Sequence, residues 1–172
     1  MSEDHPELED LFSHAYEELR RLASVVRQGD PSATLTPTCL VHEAWLRLAR
    51  SPGLEFSSEL HFKRIAARAM RRVLVEAARA RHAAKRGGGK AMVAFDDALG
   101  VGAGAPAEVL ALDQALDKLA RLEPRQAAMI EGRFFGGLDV RETAELLQVS
   151  EATILRDWRA ARAWLAVELQ QP

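Results

Sequence analysis

Two groups of basic side chains are the residues best suited to a chemical task, and that task is holding phosphate. Residues 61–90 contain ten bases (Lys63, Arg64, Arg68, Arg71, Arg72, Arg79, Arg81, Lys85, Arg86 and Lys90) against one acid, Glu76, a net of +9. A stripe of that density attracts polyanions, and each phosphate it neutralises releases condensed counterions. A solvated helical face also carries charge, but with acids as partners, and this segment has almost none. The second group is Arg156, Arg159 and Arg162, recurring on a segment whose other side is Ile154, Trp158, Ala161 and Leu165. Residues 1–18 have the opposite balance, seven acids and no Lys or Arg, so a formal net charge of −2 conceals strong segregation. The expected ligand is nucleic acid.

Other chemistries lack their residues. The five His are scattered and Cys39 is the single cysteine, so neither a metal site nor an internal disulfide is expected. No carboxylate cluster accompanies the basic segment to hold catalytic metal. Gly87-Gly88-Gly89 lacks the Gly-Lys-Ser/Thr ending of a phosphate loop and follows a helical pattern, so it is expected to be a cap and hinge. No cofactor and no enzymatic activity are expected. No apolar run approaches the ~20 residues that span a bilayer, and the acidic N-terminus is the reverse of a targeting peptide, so the expected location is the cytoplasm.

The elements that position these groups are helical nearly throughout. The 172 residues are 48% hydrophobic and 6% aromatic, a length for one ordinary domain or two small ones. Leu8, Leu11, Phe12, Ala15, Leu19, Leu22 and Val26 recur at helical steps. A second helix is expected from Thr36-Pro37, with threonine as N-cap and proline in the first helical position, and with Leu40, Val41, Ala44, Trp45 and Leu48 as its apolar stripe. A third covers about Glu59 to Arg81, placing Phe62, Ile65, Ala66, Ala69, Val73 and Ala77 on one side. The chain then becomes small and weakly periodic. Residues 91–107 form a linker of seventeen residues with a contour of roughly 55–60 Å. Helices resume through Leu122, with a break at Glu123-Pro124, and from about Arg125 to Phe135, ending at Gly136-Gly137. The expectation is an all-α protein of two small helical units, residues 1–90 and 108–172, free to sit apart.

Residues 138–168 have the spacing of a helix-turn-helix. Asp139 and Glu142 form a capping box, Gln148-Val149-Ser150 is a three-residue turn, and Ser150 caps a longer helix from Glu151. Ala144, Leu147, Val149, Ile154 and Trp158 would fill the wedge between the helices. Glycine is common at the turn position held by Gln148. The second helix of such a motif enters the major groove, turning Glu151, Ala152, Leu155, Arg156 and Arg159 outward, with Arg162 better placed for phosphate. An ordinary αα-hairpin shares half these features, and the arginine recurrence favours DNA.

Several segments resemble bacterial RNA polymerase sigma factors of the sigma-70 class, extracytoplasmic-function (ECF) type. Leu122-Glu-Pro-Arg-Gln126, Arg133-Phe-Phe-Gly-Gly137, Glu142-Thr-Ala-Glu-Leu-Leu147 and Val149-Ser-Glu-Ala-Thr-Ile154 resemble domain 4 of that family. Leu40-Val-His-Glu-Ala-Trp-Leu-Arg-Leu48 and the stretch from His61 to Arg72 resemble domain 2. The resemblance implies an alternative sigma factor whose partners are core RNA polymerase (β′ clamp and β flap) and promoter DNA. Leu40, Glu43, Leu46 and Arg47 would grip the clamp. His61, Lys63, Arg64, Arg68, Arg71 and Arg72 would hold the −10 element. Phe56 and Phe62 are further candidates there, though the spacing of Phe62 favours the core. Glu151, Ala152, Leu155, Arg156, Arg159 and Arg162 would meet the −35 element.

One departure from the family pattern stands out. Acidic residues usually precede the core-binding helix, whereas here Thr36-Pro37-Thr38-Cys39 occupies that place with no acid between Asp30 and Glu43. Phosphorylation adds about −1.5 to −2 charge, so Thr36 or Thr38 is a candidate phosphosite for a Ser/Thr kinase. The alternative is that Thr36 is only an N-cap. An anti-sigma protein is the other candidate regulator, and masking of the basic stripe by the acidic N-terminus is a further expectation. The competing identity is a helix-turn-helix repressor or activator with a helical sensor domain.

Overall fold

A computed structural model describes residues 9–14, 16–17, 19–20, 36–84, 94–95, 101–102 and 106–170. The chain is all-α. The first helix, α1, comprises the described residues 9–14, 16–17 and 19–20. It brings Leu19 into the core and packs Leu11, Phe12 and Tyr16 against it, with the rings of Phe12 and Trp45 centred 4.3 Å apart.

Helix α2 spans Pro37–Ala49 and starts where local chemistry predicts. Thr36 is extended, and its Oγ1 accepts a hydrogen bond from the Cys39 N–H at 3.1 Å. Pro37 sits where a missing N–H costs nothing. Leu40, Val41, Ala44 and Leu48 are buried against helix α3, Glu59–Ala84. From α3, Phe62, Ala66, Ala69, Met70 and Val73 complete this first core. A fully buried Leu or Phe contributes about 1.5–3 kcal/mol, so Phe62, at 0% exposure, belongs to the core as its spacing predicts. Phe56 packs on the rim of that core, its ring 5.4 Å from that of Phe62.

Four further helices follow: α4 (Pro106–Leu122), α5 (Pro124–Gly136), α6 (Val140–Leu147) and α7 (Glu151–Glu168). Leu112, Leu116, Leu119, Met129, Ile130, Ile154 and Leu165 form the second core. Ala67 of α3 belongs to it, and Leu74 packs against both cores, so α3 is their common wall. Within the expected linker, Ala94–Phe95 (β1) and Val101–Gly102 (β2) pair antiparallel, a two-residue ladder that alternation over a longer run does not announce. Pro106 and Ala107, expected in the linker, begin α4 instead, while linker residues 91–93, 96–100 and 103–105, the expected cap and hinge Gly87-Gly88-Gly89 and residues 1–8 lie outside the described residues.

The two glycines ending α5 serve different purposes. Gly137 is left-handed at φ 66° and caps the helix. Gly136 is still helical, and a Cβ there would stand 3.1 Å from Ala67 Cβ and 3.2 Å from the Lys63 carbonyl oxygen. The absent side chain at 136 lets α3 and α5 approach closely.

Candidate nucleic-acid interface

The turn of the helix-turn-helix is held by three local devices. Asp139 Oδ1 accepts from the Glu142 N–H at 2.7 Å while Glu142 Oε2 accepts from the Asp139 N–H at 2.9 Å, the full capping box. Gln148 is left-handed at φ 53°, the conformation that explains the preference for glycine in this position. Ser150 Oγ accepts from the Thr153 N–H at 3.1 Å and starts α7. Ala144, Ile154 and Trp158 are buried in the wedge, with Leu147 and Val149 packed at its edge.

This clamp sets the face that α7 shows to solvent. Glu151, Ala152, Leu155, Arg156 and Arg159 are exposed, and Arg162 is half-buried. On the inner side lies a charge that the sequence pattern did not single out. Asp157 has a side chain only 6% exposed and accepts from Arg125 Nε at 2.8 Å, tying α7 to the start of α5. That pairing raises the Arg125 pKa above its ordinary value. Arg133 is buried, its guanidinium over the Trp158 ring at 4.5 Å from the centroid. Burial lowers the Arg133 pKa, with Asp139 opposing. Position 157 follows Ile154 by three residues and precedes Ala161 by four, so only its place on the buried stripe of α7, not its neighbours, marks it.

The basic side chains of α3 range from open to acid-paired, and Arg64, Arg68 and Arg72 border both kinds of surroundings. His61 is half-buried, its Nδ1 accepting from the Ser57 N–H at 3.3 Å. Arg64 and Arg72 face a cleft of about 710 Å³, together with Arg47, Arg50, His61 and Arg68. Its apolar floor is Leu48, Leu54, Ile65 and Ala69, and among the described residues no acid lines it. Cationic walls over an apolar floor suit an unstacked base and its phosphate. Arg50 is the member the sequence pattern missed. It lies one turn beyond Leu46 and seven residues after Glu43, a spacing that locates it on the same helix face.

Lys63 and Arg71 are paired with acids of the later helices, and a second cleft of about 630 Å³ joins Arg71 to Arg64, Arg68 and Arg72 beside Glu76, Asp113, Asp117 and Glu131. Lys63 is 5% exposed and donates to Glu142 Oε1 at 3.0 Å. Arg71, 14% exposed, bonds Asp113, Asp117 and Glu131 at 2.7–2.9 Å. Burial depresses its pKa, but the three carboxylates outweigh this and the net shift is upward. Arg68 is exposed and donates to Glu131 Oε1 at 3.0 Å. The six basic-segment residues are therefore not one open surface.

The exposed side of α2 carries Cys39, His42, Glu43, Leu46 and Arg50. Leu46 is 41% exposed, an apolar group with a surface to offer. Leu40 has none: at 2% exposure it lies in the first core, because the buried stripe of α2 begins with it. Arg47 is engaged by Glu76 of α3 through two guanidinium–carboxylate bonds, of 2.8 and 2.5 Å. Hydrogen bonding to Glu76 raises the Arg47 pKa, and the same bond lowers that of Glu76. Both act as struts under the exposed face. Thr36 and Thr38 are exposed at its N-terminal end, and no acid lies in the first turn.

Two helices with exposed cationic side chains and a third with a largely polar exposed side thus occur in one short all-α chain. The family model described as ECF sigma factor matches residues 2–171. The chain belongs to the ECF sigma factor family. It is an alternative sigma factor that directs transcription initiation, with core RNA polymerase and promoter DNA as partners. No curated protein and no solved structure matches it. Among the described residues no helix of this sigma factor is long and apolar enough to cross a membrane, and no group of side chains could hold a metal ion.

Proposed function

We propose that this sigma factor grips the β′ clamp through the exposed face of α2 and that phosphorylation of Thr36 or Thr38 by a Ser/Thr kinase completes that face. Glu43 and Leu46 are the direct contacts, and Leu40 and Arg47 hold the helix that presents them. The observation that carries the proposal is an exposed helix start with two hydroxyls and no acid in its first turn. Negative charge is favoured at a helix N-terminus, and a phosphate supplies acceptors for basic groups on a partner.

In this reading residues 1–90 form the polymerase- and −10-binding unit, 91–107 the linker, and 108–172 the −35-binding unit. The cleft beneath Arg64 and Arg72 receives an unstacked −10 base, with His61 and Arg68 at its rim and Lys63 and Arg71 available when uncovered. Glu151, Ala152, Leu155, Arg156 and Arg159 face −35 base edges, with Arg162 on phosphate, and the same unit meets the β flap. The protein contributes binding and positioning in the cytoplasm, not bond-making chemistry.

The test compares core-polymerase affinity of the unmodified protein, the kinase-treated protein and a Thr36→Glu, Thr38→Glu variant. Tight binding by the phosphorylated and glutamate forms, with weak binding by the unmodified one, is expected. Equal affinity for all three removes the switch and leaves Thr36 as a cap.

A further inference from the structure

We propose that Asp157 is a positioning residue for promoter recognition: its carboxylate steadies the guanidinium of Arg156, leaving both terminal nitrogens of that arginine for a guanine edge. The proposal rests on α7 being the −35-reading helix. Asp157 stands on the buried stripe of α7, between Ile154 and Ala161, with a side chain 6% exposed. A charge there costs desolvation that an apolar side chain would not, and a buried ion pair is weak grounds for stability. The stripe already includes Ile154, Trp158, Ala161 and Leu165, and Arg133 lies over the Trp158 ring. The rotation of α7 is therefore set without a carboxylate, and Asp157 has another use.

That use lies in its two oxygens. Oδ2 accepts from Arg125 Nε at 2.8 Å, which neutralises the charge and holds the carboxylate in place. Oδ1 faces Arg156 Nε at 3.9 Å, an ion pair too long for a hydrogen bond. The Arg156 side chain is 73% exposed, on the side of α7 that also shows Ala152, Leu155 and Arg159. Drawing Arg156 Nε onto Oδ1 takes a shift of about an ångström. It also restricts in advance a long side chain whose freedom is otherwise lost on binding. An arginine held at Nε keeps both terminal nitrogens free, and that pair matches O6 and N7 of guanine. Asp157 thus orients a reading side chain from inside the protein and does not itself touch DNA.

The test uses holoenzyme assembled from the full chain and core RNA polymerase. It is offered duplexes randomised across the −35 region, and the bound sequences are counted. The parent is compared with Arg156→Ala, Asp157→Asn, Arg125→Gln and the double variant Asp157→Asn, Arg156→Ala. The preference that Arg156→Ala abolishes marks the base that Arg156 reads. The parent should favour guanine there about tenfold or more, as a bidentate pair allows. Asp157→Asn keeps the size of the side chain and an acceptor for Arg125. It should cut the guanine preference at least about threefold, spare the preferences elsewhere, and bind other sequences no less tightly. Added to Arg156→Ala it should change nothing.

Arg125→Gln separates orientation from a mere tie between α5 and α7. It removes the neutralising charge but leaves the carboxylate beside Arg156, so guanine preference should persist while affinity falls for all sequences alike. Arg125 is about half exposed, so this variant decides even where Asp157→Asn does not fold. Loss of guanine preference in Arg125→Gln, or its survival in Asp157→Asn, overturns the proposal, since the pair would then only join the two helices. An effect of Asp157→Asn that persists without Arg156 overturns it as well. If Arg156→Ala alters no position, α7 does not read the −35 element and the reading beneath the proposal has failed.

Discussion

Thr36 permits the cap and the switch to be separated experimentally. Its Oγ1 caps α2 through the Cys39 N–H at 3.1 Å, and no first-turn acid shares the task. Thr36→Ala should therefore lose about 1 kcal/mol, a fall in Tm of roughly 2–4 °C for a chain of this size. Thr36→Asp keeps an acceptor at the cap and adds negative charge at the helix start, worth about 0.3–1 kcal/mol, so it should melt at or above the parent. Core-polymerase affinity should follow a different order. If charge at this position is what docking lacks, Thr36→Asp should bind about tenfold more tightly, an effect of about 1.4 kcal/mol, while Thr36→Ala binds like the parent once folded. Thermal melts and a fluorescence titration against core polymerase at two salt concentrations give both orders. An affinity series that tracks Tm, with the aspartate no better than threonine, would refute the reasoning, because stability alone would then explain docking.

Three other expectations follow from single observations. Gly137→Ala should destabilise by about 1–2 kcal/mol because its φ is 66°, whereas Gln148→Gly should be neutral or stabilising by up to ~1 kcal/mol as relief of φ 53° competes with unfolded-chain entropy; denaturant melts check both. Arg156→Ala should cost about 1–3 kcal/mol in −35 duplex binding and relax sequence preference, and Arg162→Ala should weaken all sequences alike and reduce the salt slope by about 1. Arg47 holds the Glu76 carboxyl below its ordinary 4.5, so the pair contributes above that value and is lost as pH falls through the lowered folded value. The Tm difference between the parent and Glu76→Gln should be present at neutral pH and vanish in acid below the ordinary carboxylate range.

What was legible in the sequence was mostly what short-range chemistry decides. Thr36-Pro37, the Asp139–Glu142 box and Ser150 each work within three or four residues, and each forms as its spacing predicts. The helix-turn-helix wedge is nearly as local, since its buried residues lie within fifteen positions of one another. Periodicity told which residues of α2 and α3 share a face, but not what covers that face. Leu40 therefore moved from the docking surface to the core, and Arg47 found Glu76 twenty-nine positions away. Lys63 and Arg71 have the composition of a DNA-binding stripe, yet apart from Glu59 beside Lys63 the acids that hold them lie 42–79 residues along the chain. Those partners, Asp113, Asp117, Glu131 and Glu142, look like ordinary solvated acids until the helices are packed. Asp157 was hidden for the opposite reason, set between exposed arginines on a helix that turns it inward.

Reconstituted run-off transcription, with purified core polymerase, genomic DNA and the kinase-treated full chain, tests the central claim most directly. Discrete new start sites that need this chain, and that disappear when Arg64 and Arg72 are replaced by alanine, are expected. Start sites that are identical with and without the chain, under conditions where it is folded and phosphorylated, would contradict it.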